Sequence, residues 1–179
     1  MSCSRAIIAA MADTSRTIVI ALRSIWIHPR TTIRTVIDRG AGGTIFLAGL
    51  FGFVVALSIV AQNANRGYSA TFDLAAMVVG SLSGIGFLYG MGALLRWTGS
   101  RLGGTADGRA VRAVIAYSQT PLTLSEVLLA FTNLRGEGPG YAAPPSGIFF
   151  ALELIGVALM IWSLPIFFVG LAEVHGFSI

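Results

Sequence analysis

The sequence predicts an all-α membrane protein, a bundle of about four transmembrane helices preceded by an amphipathic N-terminal helix. Three observations predict this fold class. Four apolar stretches are each long enough to approach or exceed a hydrocarbon core of about 30 Å. Charged residues make up only 11% of the 179 residues, whereas soluble domains carry about 25%. The arginines concentrate in alternate segments between the apolar stretches, as topology signals do.

Residues 1–43 are expected to lie outside the membrane because they hold six arginines. A helix over residues 15–27 would place Arg16 and Arg23 on one face. The opposite face would carry Ile18, Ala21, Leu22, Ile25 and Trp26. Such a helix lies in the lipid headgroup layer or packs against the protein's own spans, and the sequence leaves both readings open. Pro29 should end it, because the residue before a proline is pushed out of the α region. The predicted contacts to lipid or to a partner are Arg16, Arg23, Arg30 and Arg34.

Residues 44–179 are expected to form the transmembrane domain. The predicted spans are residues 44–61, 72–97, 111–132 and 148–171. The first is free of charge and would cover about 27 Å at 1.5 Å per residue. The second begins beside Asp73 and ends at the pair Arg96 and Trp97, residues typical of the membrane interface.

The third and fourth spans are interrupted by polar residues and prolines. The third contains the polar run 117–121 and then Glu126, so a re-entrant segment is the alternative to a full crossing. Pro121 and Pro165 are expected to bend their helices. Carbonyl groups freed near Pro121 could be satisfied by Ser118 or Thr120.

The loops predict an orientation. Ten arginines fall in residues 1–43 and in the loop 96–112, whereas the other two loops hold only Arg66 and Arg135. Positively charged loops stay in the cytoplasm. The N-terminus, the middle loop and the C-terminus are therefore predicted to be cytoplasmic. The absence of lysine and the abundance of alanine, glycine and arginine suggest a GC-rich bacterial genome and hence the bacterial cytoplasmic membrane.

The second span is rich in glycine. Gly80 with Gly84, and Gly86 with Gly90, each have small-xxx-small spacing. Such spacing lets another helix approach closely. The partner helix lies in the same chain or in a second copy of it, and close packing within one protomer is the interpretation we favour.

Three acids touch the apolar spans: Asp73, Glu126 and Glu153. A carboxylate within a membrane is unfavourable, so each is a functional candidate. A proton or cation site built from Glu126 and Glu153 is one hypothesis. The alternative is that Asp73 complements a helix dipole, while the two glutamates are protonated or paired with Arg66, Arg135 or hydroxyl groups nearby.

The sequence shows no catalytic, cofactor or metal motif. The single cysteine, Cys3, excludes a disulfide within the chain and a cysteine-based zinc site. The two histidines, His28 and His175, lack the spacing of a metal-binding helix. Because catalytic and cofactor motifs are missing, we expect no enzyme and no cofactor. The arginines lie beside apolar runs and do not form a nucleic-acid patch, so we expect no nucleic-acid partner.

Several short segments together resemble the bacterial branch of the Yip family, the Ypt/Rab-interacting membrane proteins. The segments are Trp26-x-x-Pro29-Arg30-x-Thr32-x-Arg34, Gly103-Gly104, Val111-Arg112-x-Val114, Ala116-Tyr117-Ser118-x-x-Pro121, Trp162-Ser163-Leu164, and Gly170-Leu171-Ala172-Glu173-x-His175-Gly176. The resemblance covers the chain from Trp26 onward. It implies an all-helical membrane domain with a cytoplasmic N-terminus, and it marks Pro29, Arg30, Tyr117, Pro121, Glu173 and His175 as important positions.

The family usually has five spans, whereas this sequence ends at Ile179, where a fifth span would begin. A truncated chain and a four-span member both fit. The resulting prediction is a non-enzymatic membrane scaffold or adaptor. Its partners would be membrane lipid, a second copy of the chain or another membrane protein. The alternative function is a small ion, proton or solute transporter or channel that uses Glu126 and Glu153.

Overall fold

The computed structural model describes residues 18–63, 70–134 and 147–177, and all of the regular structure in these ranges is helical. The helices are α1 (18–24), α2 (Pro29–Asp38), α3 (Thr44–Asn63), α4 (Ala70–Arg101), α5 (Gly108–Ser118), α6 (Thr120–Leu134) and α7 (Gly147–His175). Four spans are long and apolar enough to cross a membrane, namely α3, α4, α5 with α6, and α7. The predicted fold class is confirmed.

Most of the spans extend beyond the apolar stretches that predicted them. Helix α4 continues past Trp97 to Arg101, and α7 continues past Leu171 to His175. Hydropathy marks where side chains leave the hydrocarbon, whereas the backbone hydrogen bonds of a helix continue through the headgroup layer. The turns added to α4 and α7 carry Arg101, Glu173 and His175, which are described below.

The third span is broken where its sequence predicts a bend. Gln119 separates α5 from α6. Pro121 lacks the N–H group that would bond the carbonyl of Tyr117. The Thr120 hydroxyl donates to that carbonyl at 2.8 Å, so the freed acceptor is satisfied as expected. Pro165, in contrast, lies inside α7 without ending it.

Successive spans run antiparallel. A β-carbon built at Gly84 of α4 would collide with the Ala48 carbonyl of α3, and one built at Gly80 would collide with Ala56. The order of these contacts is reversed along the two helices, as antiparallel packing requires. Helix α6 packs against both α3 and α7, and α4 has the smallest buried share of the four spans.

The core is centred on α5, which is buried on nearly all sides. Val111, Val114 and Tyr117 have no exposed surface. They contact buried residues of α1, α2, α3, α4 and α7. Because α5 touches every other span, it fixes the positions of the helices around it.

Helix α1 packs against the protein's own spans. Ile25 is fully buried and Ala21 is 3% exposed, and both belong to the core around α5. Of the two readings of the amphipathic segment, packing on the bundle is therefore the one seen for residues 18–27. Pro29 follows its end as predicted. It also opens α2, a helix the sequence did not predict, where its fixed φ suits the first turn.

Candidate functional site at the arginine end of the bundle

All arginines in the described residues lie at one end of the bundle, which we call the arginine end. It comprises α1, α2, the last turns of α4, the first turns of α5 and the last turns of α7. The arginines are Arg23, Arg30, Arg34, Arg39, Arg96, Arg101, Arg109 and Arg112. Only three described acids accompany them, Asp38, Asp107 and Glu173. This end is therefore strongly positive.

A carboxylate near the end of α7 fastens α2 to the bundle. Arg34 donates a hydrogen bond to the Oε1 atom of Glu173, and the Nε atom of Arg30 lies 3.6 Å from its Oε2 atom. The Glu173 side chain is 17% exposed, whereas the side chain of Arg30 is 48% exposed and that of Arg34 is 71% exposed. Exposed ion pairs are worth about 1 kcal/mol or less, so this contact sets position more than stability.

His175 fills a slot made by two glycines. Its ring lies so close to Gly99 of α4 and to Gly104 that a β-carbon at either position would collide with the imidazole. The histidine is 5% exposed, and Phe177 stacks on it with ring centroids 5.5 Å apart. Its Nδ1 atom is buried and has no hydrogen-bond partner among the described residues. His175 thus locks the end of α7 against the turn that follows α4.

Tyr117 anchors the loop between α2 and α3. Its ring is fully buried, and its hydroxyl donates a hydrogen bond to the Gly42 carbonyl at 2.8 Å. In this loop Gly40 and Gly43 have φ angles of 86° and 80°, values that favour glycine. The tyrosine therefore holds a sharp turn at the start of α3.

Four separate segments supply the family-motif positions, and four of these positions, Pro29, Arg30, Glu173 and His175, lie at the arginine end. Pro29 opens α2 and Arg30 pairs with Glu173. Pro121 is buried in the first turn of α6, deeper in the bundle. The observed contacts of these residues join helices to one another, and none of them lines a cleft with a second chemical group.

The predicted contact arginines divide into three cases. Arg16 lies outside the described residues. Arg23 is exposed on α1. Arg30 and Arg34 are engaged with Glu173, so they are less available to lipid or to a partner than the sequence suggests.

The three acids of the spans do not form one site. Asp73 lies in the first turn of α4, at the end opposite the arginines. Glu126 of α6 has the Ser58 hydroxyl of α3 beside it, outside hydrogen-bond geometry. The Oε1 atom of Glu153 in α7 is buried without a hydrogen-bond partner in the described residues.

Glu126 and Glu153 lie at similar depth. Gly156 of α7 packs on Ser125 of α6, and Phe149 stacks on Phe131 with ring centroids 6.0 Å apart. This register places the two carboxyl groups near one level of the bundle. The predicted partners Arg66 and Arg135 lie outside the described residues.

The four glycines of the second span that have small-xxx-small spacing point in two directions. Gly80 and Gly84 face α3 and pack on the bare backbone of Gly52. Gly86 and Gly90 would meet nothing within 4 Å if a β-carbon were added. Residues 84 and 86 are two positions apart, about 200° around a helix, so the two pairs cannot share a face. The first pair packs within the protomer.

Sequence reasoning missed the residues that receive these contacts. Gly52 leaves room for the backbone of α4, and Gly99 and Gly104 leave room for the His175 ring. Gly52 with Ala48 and Ala56 forms a small-xxx-small series that could have identified it. No local signal marks Gly99, because its partner lies far along the chain. Within the described residues, no group of three His, Cys, Asp or Glu could hold a metal ion.

Comparison with known proteins gives one match. The family model described as the Yip1 domain matches residues 23–179, which span α2 to α7. No curated protein matches the chain, and no solved structure does.

Proposed function

The chain belongs to the Yip family, and from this membership we propose that it is a non-enzymatic membrane scaffold or adaptor. We place it in the bacterial branch of the family, in the cytoplasmic membrane, with both termini and the arginine end in the cytoplasm. In this role the arginine end is the working surface. It would contact anionic lipid, a second copy of the chain or another membrane protein.

The observation that carries this proposal is the set of contacts that three family-motif residues make. Glu173, His175 and Tyr117 each join two segments of the arginine end. They build a firm platform from helices that are distant in sequence. A rigid, positively charged platform suits binding. Each arginine near an anionic leaflet contributes about 1 kcal/mol to association.

The orientation can be tested with the single cysteine of the chain. Cys3 is expected to resist a membrane-impermeant maleimide in cells with permeabilised outer membranes, and to react after lysis. The matched variant combines Cys3→Ser with Thr71→Cys, which moves the thiol to an exposed residue at the opposite end of α4. That variant should be labelled in unlysed cells. The reverse pattern would overturn the cytoplasmic placement.

The scaffold role can be tested by site-specific cross-linking in cells. A photoreactive amino acid replaces Arg23, which is exposed at the arginine end, and in the control replaces Thr71. A discrete protein adduct from position 23 alone, lost when Arg109→Glu weakens the positive charge of that end, is the expected result. Adducts of equal yield from both positions, or none from position 23, would contradict the proposal.

A second candidate function is transport through the bundle, and the buried Oε1 atom of Glu153 favours it. That atom has no hydrogen-bond partner in the described residues, and Glu126 lies at similar depth beside Ser58. The test is proton or cation flux in liposomes for the unmodified protein, Glu126→Gln and Glu153→Gln. Flux that both substitutions abolish would replace the scaffold proposal with a transporter or channel.

A further inference from the structure

A polar cavity of about 190 Å³ opens at the arginine end, where α3, α4 and α5 meet. Its walls include the polar or charged side chains of Thr44, Tyr89, Arg109 and Arg112, together with Gly40, Ala41 and the apolar Ile45. Thr44 is the first residue of α3, a span of the bundle. The cavity therefore lies at the depth where hydrocarbon gives way to lipid headgroups.

Arg112 is held in place before any ligand arrives. Its guanidinium lies over the Tyr89 ring, 4.9 Å from the centroid, a favourable cation–π contact. Its aliphatic stem rests on the bare backbone of α4 at Gly92, where a β-carbon would stand 2.8 Å from the Cγ atom of Arg112. A side chain fixed in this way loses little freedom when it binds a ligand.

Among the described residues, Arg96, Arg109 and Arg112 form no ion pair, although Asp107 lies two positions before Arg109 in the chain. Arg112 and Arg96 approach the same glycine, Gly108, with nitrogen atoms 3.5 and 3.7 Å from the position of its absent β-carbon. Arg109 lines the cavity itself. The two ion pairs described above both involve Glu173 of α7. Neighbouring like charges repel, and an anion between them relieves that repulsion.

The loop wall of the cavity is also fixed. Ala41 has a φ angle of 54°, a left-handed conformation that alanine rarely adopts. Such a conformation persists where the surroundings enforce it. Here the next residue, Gly42, accepts the hydrogen bond from the buried Tyr117. The main chain beside the arginines is thus held in one shape.

We propose that this cavity binds the phosphate group of an anionic phospholipid, with Arg109 and Arg112 as its ligands. Guanidinium groups bind phosphate oxygens through paired charge-assisted hydrogen bonds. The depth of the cavity selects a headgroup attached to acyl chains that lie along α3 and α4. The proposal goes beyond the scaffold function, because it assigns a discrete site and depends neither on orientation nor on a protein partner.

The test is isothermal titration of the full chain in detergent with dihexanoylphosphatidylglycerol. Dihexanoylphosphatidylcholine carries the same phosphate and chains without net charge, and it serves as the lipid control. Inorganic phosphate and glycerol 3-phosphate are added as competitors. We expect saturable binding of the anionic lipid and clearly weaker binding of the zwitterionic one.

The variants locate the site. Arg109→Gln and Arg112→Gln should each weaken binding by about tenfold, the effect of losing one hydrogen bond to a charged group. Arg101→Gln is the matched control, since Arg101 is exposed at the same end and lies over Trp97 outside the cavity. It should bind as the unmodified chain does. Circular dichroism and gel filtration confirm folding, and the exposed Arg109 carries the test if Arg112→Gln does not fold.

Each possible result of the titrations either supports or overturns the proposed phospholipid site. Loss of lipid binding in both cavity variants, with binding kept in Arg101→Gln, supports the site. Strong competition by inorganic phosphate would keep Arg109 and Arg112 as a phosphate site but would overturn the assignment of a phospholipid as its ligand. Equal affinity for the two lipids, equal affinity across the variants, or no binding at all would overturn the proposal. Failure of the scaffold tests would leave these measurements unaffected, because they use purified protein in detergent.

Discussion

Replacing Gly99 with alanine should change stability in opposite directions depending on what occupies position 175. The α4 backbone at Gly99 touches the His175 ring so closely that an added methyl group would overlap it. Forcing extra volume into a packed contact costs about 1–3 kcal/mol. Alanine also gains about 0.5–1 kcal/mol over glycine within a helix. The net expectation for Gly99→Ala is a loss of about 1–2 kcal/mol.

The sign should reverse once the imidazole is removed. In the His175→Ala background the three atoms nearest to the added methyl group are removed, so we expect the helix preference to dominate. Gly99→Ala should then stabilise the chain by up to about 1 kcal/mol. The difference between the two backgrounds is the coupling energy of a double-mutant cycle.

The assay is unfolding of the purified chain in mixed micelles by added sodium dodecyl sulfate, followed by tryptophan fluorescence. Gly90→Ala on the same helix is the matched control, because a β-carbon there meets nothing within 4 Å. It should stabilise equally in both backgrounds. If Gly99→Ala gave the same free-energy change with and without the histidine, the packing argument for this end of the bundle would be refuted.

Three further substitutions test separate contacts. Tyr117→Phe should cost about 1 kcal/mol in unfolding free energy, because the part-buried Gly42 carbonyl loses the hydroxyl that donates to it, and a change near zero would contradict that bond. Gly52→Val should cost about 3 kcal/mol by forcing α3 from α4, whereas Gly86→Val, with open space around it, should change the same free energy little. Glu173→Gln should cost about 1 kcal/mol or less, and less again at high salt, because its two arginine partners are exposed. A large, salt-independent loss would show that the glutamate is buried in the folded protein.

The sequence predicted the spans well because hydrocarbon imposes a simple rule. A helix in lipid satisfies all of its backbone groups internally, so length and apolarity are sufficient to identify it. The break before Pro121 was also predictable, because the missing N–H group is a local property. Helix α2 was missed because its ten residues are polar on average and gain their stability from Ile33 and Val36, which are buried against other helices.

The candidate site was predicted only in part, for a related reason. Short motifs marked Glu173 and His175, but their contacts reach residues about 139 and 76 positions away. Local sequence carries no record of such pairings. The cavity beside Arg112 depends on three helices meeting at a particular angle, and it became visible only when that packing was known.

A ribosome delivers this chain to the membrane from its N-terminus. The contacts of α7 therefore form only after the helices that it packs against have been synthesised. Ile33 of α2 and Val114 of α5 both contact Gly170. Arg34 bonds to Glu173, which is synthesised 139 residues later. Until α7 inserts, the apolar side of α2 lacks the contacts that α7 provides. A nascent chain halted before residue 170 would therefore expose the surface of α2 that α7 covers in the folded protein.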